Sequence, residues 1–185
     1  MRGAESMVAK PSTKKTFKIS TIGHSTRPFA EFVQLLKKNN VTLLVDVRTI
    51  PKSRTNPQFN KDTLAMDLNK EEIKYMHFAQ LGGLRHAKKD SANTVWENAS
   101  FRGYADYMET EDFRGSIKDL LSFATVETIA IMCSESVWWR CHRSMIADEL
   151  VAEGYSVGHI MNVQEPKPHT LRSFAHVDHG HVSYH

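Results

Sequence analysis

Cysteine is scarce in this chain: Cys133 and Cys141 are the only two in 185 residues. Two thiols in a chain of that length make no disulfide framework, and a reducing cytoplasm is the expected setting. Long hydrophobic runs are missing as well. No stretch approaches the length of a membrane span, so no membrane partner is expected. The opening "MRGAESMVAKPSTKK" carries charge but no apolar centre, which argues against a secretory signal. There is no internal repeat and no low-complexity block. An excess of one charge is also lacking. The formal net charge of +3 permits an anionic partner without demanding one, because a nucleic-acid binder needs a local basic patch more than a total.

What is present is ordinary globular composition, 41% hydrophobic and 24% charged, in a chain long enough for one domain with a real core. "TFKISTIGHS" reads as a short strand ending at Gly23. "RPFAEFVQLLKKNN" places Phe29, Phe32, Leu35 and Leu36 on one helical face. "VTLLVDVR" and "TIAIMC" are nearly continuous apolar runs, the mark of strands buried on both faces. "NKDTLAMDLNKEEI" reads as a helix with Asn60 as its cap, and "KYMHF" as a strand. Residues 85–100 read as a long polar loop, and "YADYMETEDFRGSIKDLLSFA" as one broken helix or two. "HRSMIADELVAEG" is an amphipathic helix ending at Gly154, and "YSVGHIM" returns as a strand. Strands alternating with helices predict an α/β fold: a mostly parallel sheet with helices on both faces, in a single compact domain. That domain is expected over residues 17–165, behind a flexible arm at 1–16 and before a polar, mobile C-terminal extension at 166–185.

In such sheets ligands bind beyond the carboxyl ends of the strands. The residues found there are "GHST", "DVRTIPKSR", "LGG" and "CSES", so polar and reactive groups converge on one edge. His24 is a candidate general acid or base near neutral pH, with Glu135 as its carboxylate partner. Ser25 follows a glycine that permits close ligand approach. Arg48, Arg54, Arg140 and Arg143 form a candidate anion clamp, Arg143 with His142 in a first helical turn whose N–H groups favour an anion. Asp46 is more simply the structural partner of Arg48. Trp138 and Trp139 beside an arginine suit stacking on a planar group; a lid or an oligomer contact is the competing use. Cys133, at the end of a buried strand, is either a packed small hydrophobe or a thiolate facing the helix start. Cys133, Cys141, His142 and His159 supply soft donor atoms. Their spacing matches no zinc pattern, and adjacent Cys141 and His142 are awkward joint ligands, so no metal ligand and no cofactor is assigned.

In "TIGHST", "LLVDVRTIPKSRTNPQFN", "LGGLR", "YADYM", "MCSESVWWRCHRSMIADEL" and "GHIM" the chain resembles the domain-of-unknown-function 488 family of small bacterial and archaeal proteins. These stretches stand in the family's order over roughly residues 18–161. The resemblance implies a compact α/β domain and little chemistry. A second likeness is to rhodanese-like architecture, through "LLVDVR" and the Cys133-loop-Arg140-helix unit. Six residues, two of them tryptophan, separate Cys133 from Arg140, where a tight anion cradle favours small ones.

The expectation is therefore a carboxyl-edge pocket for an anionic ligand: a nucleotide, a nucleic-acid end or a phosphorylated metabolite, with hydrolysis or group transfer as the reaction. Two alternatives stand beside it. One is a non-catalytic ligand-sensing or nucleic-acid-binding module, the other a rhodanese-like sulfur carrier using Cys133. Fold alone does not choose among them, and neither substrate identity nor oligomeric state can be read from the sequence.

Overall fold

The structure is a computed structural model that describes residues 16–185; the expected N-terminal arm lies outside the described residues but for Thr16. Six strands form one sheet: β1 (Ile19–Gly23), β2 (Leu43–Asp46), β3 (Lys74–His77), β4 (Ile129–Cys133), β5 (Val157–Ile160) and β6 (Lys167–Pro168). Their spatial order is β3-β2-β4-β1-β5-β6. The first five are parallel and β6 runs antiparallel to β5. The expected mostly parallel α/β sheet is what forms.

Strand periodicity divides the apolar residues between two layers. Leu44, Ala130 and Met132 face α1 (Phe29–Lys38) and α2 (Lys61–Lys70), packing on Phe32, Leu36, Leu64 and Leu68. Leu43, Val45, Ile129, Ile131 and Cys133 face the other layer, built by α3 (Ala99–Met108), α4 (Glu111–Ala124) and α5 (Arg143–Ala152). The broken helical pattern resolves into two helices, α3 capped by the Asn98 side chain and α4 by Thr110. Asn60 does precede α2, but its side chain accepts the Ser53 N–H at 2.6 Å instead of capping. No helix among the described residues is long and apolar enough to cross a membrane.

The C-terminal extension departs from expectation, for it packs on the domain. After β6 it makes a hairpin of β7 (His176–Asp178) and β8 (His181–Ser183), turning through His179 and Gly180 at positive φ, the conformation two-residue hairpin loops require. The hairpin covers α5, which is consequently buried on nearly its whole circumference from Arg143 to Leu150. Asp148 organises the contact. It accepts from His169 Nε2 at 2.8 Å, from the Tyr184 hydroxyl at 2.7 Å and from the Arg172 guanidinium. Glu149 accepts from the Val182 N–H at 2.8 Å and pairs with His181. What looked like the polar side of an amphipathic helix is the acceptor face for the tail.

Asp148→Ala would take the acceptor from a buried imidazole, a buried phenol and a partly buried guanidinium at once. Breaking a buried pair by removing one member typically costs about 3–5 kcal/mol. Urea unfolding should show a midpoint lowered accordingly, whereas Asp178→Ala, on the exposed turn of the hairpin, should change stability by less than about 0.5 kcal/mol.

Candidate functional site

The carboxyl ends of β1, β2 and β4 open into one cleft of about 800 Å³. Its walls come from the segments after each strand: His24 to Thr26, Arg48 to Ser53, Gly83 and Leu84, and Cys133 to Ser136, joined by Arg140, Cys141 and His142. The parallel ladder continues past β1 and β4, with the His24 N–H on the Cys133 carbonyl and the Ser25 N–H on the Ser134 carbonyl, both at 3.0 Å. Gly23 is required here, because a Cβ at that position would overlap the Glu135 carbonyl as the loop after β4 crosses it. Ser25 turns into the cleft at φ 48°, a left-handed conformation uncommon outside glycine.

The wall on the α1 and α2 side is a closed hydrogen-bond set. Arg48 grips Asp46 with two bonds, Nε to Oδ1 at 2.9 Å and Nη2 to Oδ2 at 2.6 Å. The Tyr75 hydroxyl adds a third bond to Asp46 at 2.7 Å. Asp46 is thus the structural partner expected. His24 stacks on Phe59 at 4.3 Å. Its Nδ1 lies 2.8 Å from the Ser25 carbonyl and its Nε2 3.2 Å from Arg48 Nη1. Only the Nδ1–H tautomer satisfies both contacts, since a guanidinium donates and never accepts. Burial lowers the His24 pKa to about 4. His24 therefore enters the cleft wall neutral with both nitrogens engaged, a positioning group for Arg48.

The wall on the α5 side is built around sulfur. Arg143 is 1% exposed and does not line the cleft. Its Nη2 donates to the Glu135 carbonyl at 2.5 Å and its Nε to Cys141 Sγ at 3.3 Å. Among the described residues no carboxylate pairs with it. Both cysteines are free and buried, and both line the cleft. Their sulfurs lie within 4.8 Å of one another, and that interaction acts oppositely on the two thiols. It pushes Cys133 well up, with burial adding to the effect, and it brings Cys141 down to about 6, helped by Arg143. The Arg143 N–H on its sulfur favours a thiolate at Cys141, rather than at Cys133 where a sulfur carrier would need it. His142 Nδ1 stands 3.6 Å from Cys141 Sγ, and the imidazole is held between Tyr104 at 5.0 Å and Gly83, where any side chain would collide with it.

Of the predicted site residues, the structure brings together His24, Ser25, Arg48, Cys133, Glu135, Arg140 and His142 on the cleft. Glu135 is exposed and receives the Val137 N–H at 3.3 Å; no bond joins it to His24. Arg54 is exposed and outside the lining. Trp138 turns away to stack on His159 at 3.9 Å, nearly parallel. His159 is itself engaged by Thr21 and His169 and does not join Cys133, Cys141 and His142 in their donor group. Lys52, which the sequence gives no special mark within "DVRTIPKSR", is a further cation on the cleft.

The chain matches the family described as domain of unknown function DUF488 over residues 28–150, more than half its length. It belongs to that family. No curated protein and no solved structure matches it, so the likeness to rhodaneses gains no support.

Burial also lowers the pKa of His159, to about 3, with His169 adding to the effect. Both His24 and His159 therefore lie below the ordinary value of 6.5. A depressed folded pKa means the unfolded chain takes up the proton first, so stability is full above about pH 6.5 and falls as pH drops toward 4. Each histidine contributes a slope of about 1.4 kcal/mol per pH unit in that window. His24→Phe keeps a ring on Phe59 and should flatten the acid limb by one histidine's share, read from urea midpoints at successive pH values.

Proposed function

We propose that the cleft binds a small phosphorylated or otherwise anionic molecule, of nucleotide size. The observation that carries this is the state of its cations. Lys52 and Arg140 line the cleft and form no ion pair among the described residues. Glu135 is the one carboxylate in the lining, and it is exposed. Beneath them the Arg143 guanidinium adds positive charge that no carboxylate among the described residues neutralises. Hydroxyl and amide groups of Ser25, Thr49, Ser53, Asn56 and Ser134 supply the neutral donors that phosphate oxygens accept from.

Size and shape favour a small molecule over a nucleic-acid strand. A volume of about 800 Å³ falls within the range of small-ligand clefts. A single strand would need a run of free aromatic faces, but Trp138 is stacked on His159 and Phe101, the one aromatic in the lining apart from its histidines, is stacked on Trp96. Any hydrolysis or group transfer is better assigned to the sulfur-lined floor than to His24, whose ring nitrogens are both engaged.

The test is calorimetric titration with inorganic phosphate and a panel of mononucleotides, at low and moderate salt. Arg140→Met and Lys52→Met should each weaken binding about tenfold, the loss of one charge-assisted hydrogen bond of about 1.4 kcal/mol. The salt dependence should shrink in each variant. Affinities equal to wild type across the panel in both folded variants would end this reading.

A further inference from the structure

The floor of the cleft holds a donor set that anion binding does not use. Cys133 comes from the end of β4, Cys141 from the extended residue before α5, and His142 from the turn that opens α5. The two Sγ atoms and one imidazole nitrogen lie within 4.8 Å of one another. A tetrahedral zinc ion, with bonds of about 2.3 Å to sulfur and 2.0 Å to nitrogen, sets its donors about 3.5 to 3.8 Å apart. The 3.6 Å between Cys141 Sγ and His142 Nδ1 matches that spacing. The sequence objection to neighbouring ligands falls away in three dimensions. Cys141 is extended, at φ −133° and ψ 147°, and His142 is already helical, at φ −56° and ψ −19°. The change of direction lets successive side chains meet.

Three further observations point to an ion. His142 Nε2 is buried with no hydrogen bond formed, while Nδ1 is the ring nitrogen beside Cys141 Sγ. With the ring proton on Nε2, the Nδ1 lone pair is free for a metal beside the two sulfurs. Arg143 Nε donates to Cys141 Sγ at 3.3 Å, an outer contact suited to a metal-bound thiolate, which retains negative charge. And the imidazole is fixed by Tyr104 and Gly83, so its orientation is set before any ion arrives.

We propose that Cys133, Cys141 and His142 form a binding site for a soft divalent cation, zinc by the chemistry of the donors, with its fourth position open to the cleft. Thiolate and imidazole together select zinc over magnesium or calcium, which take oxygen. Three protein ligands and an open fourth position are the pattern of catalytic rather than structural zinc. Binding converts both thiols to thiolates, their protons passing to solvent, leaves His142 as a neutral ligand, and sets a cation where an anion in the cleft can complete the coordination. The site stands on its own geometry and does not require the anion reading.

The probe is cobalt(II), added to full-length, metal-free protein in a non-thiol reductant, with both free thiols counted beforehand. One equivalent should give thiolate-to-cobalt charge-transfer absorption together with tetrahedral ligand-field bands, and zinc should displace it. Cys133→Ser and Cys141→Ser should each remove at least half of the charge-transfer intensity. His142→Gln should shift the ligand-field bands while keeping the thiolate absorption. Capture by the Glu149, Glu153 and His181 group would show oxygen and nitrogen donors only. X-ray absorption on the zinc-loaded wild type reads two sulfurs and one imidazole directly, whether or not the variants fold. A protein with two free thiols and no charge-transfer band, or an absorption spectrum without sulfur, would overturn the site. Neither result depends on whether phosphate or a nucleotide binds, so the two proposals fail separately.

Discussion

A buried guanidinium without a carboxylate sets the terms for the rest of this molecule. Arg143 is among the largest fully buried side chains, at 1% exposure, and a guanidinium in a protein does not lose its proton. Burying such a charge is expensive unless something negative or strongly dipolar answers it. Here the answer is the Glu135 carbonyl and the sulfur of Cys141. The contact with Glu135 draws the loop after β4 across Gly23, where no side chain fits. The contact with Cys141 fixes the entry to α5. One residue thus ties the end of β4, the end of β1 and the start of a helix, and gives a thiol a reason to be anionic.

The cleft has two unlike walls as a result. On the α1 and α2 side, Asp46, Arg48, Tyr75 and His24 satisfy one another, so that wall is rigid and has little left to offer a ligand. On the α5 side, two thiols, an imidazole and Arg140, which has no ion pair among the described residues, face the cleft. Preorganisation on one wall and available chemistry on the other is the usual division of labour in a binding site. The C-terminal hairpin supports the second wall from behind. By burying Asp148 and Glu149 it makes α5, which carries His142 and Arg143 at its start, an interior helix.

The five parallel strands, the two-sided layering and the convergence of "GHST", "DVR" and "CSES" on one edge were legible in the sequence, because buried parallel strands announce themselves as unbroken apolar runs. The state of individual side chains was not. Nothing in "GHST" says that His24 has both nitrogens engaged, since one partner is Arg48, twenty-four positions away. Trp138 looked available because its partner, His159, lies in another strand. Of two nearby cysteines, the choice of the anionic one rests on Arg143 lying against Cys141, a matter of tertiary contact. The tail was read as mobile from its polarity, yet those polar groups are the partners of two acids on a helix that had looked solvated.

The account turns on the Arg143–Cys141 contact, and a double-mutant cycle measures it directly. Arg143→Met, Cys141→Ala and the double variant would be unfolded in urea, reduced and stripped of metal. Residues coupled through a shared charge interact by about 0.5–3 kcal/mol, whereas independent sites add within about 0.5. The account predicts a coupling of at least about 1.5 kcal/mol, with the double variant more stable than the sum of the single losses implies. Additivity within about 0.5 kcal/mol would mean that Cys141 does not answer the Arg143 charge, and would contradict the reading of the cleft floor.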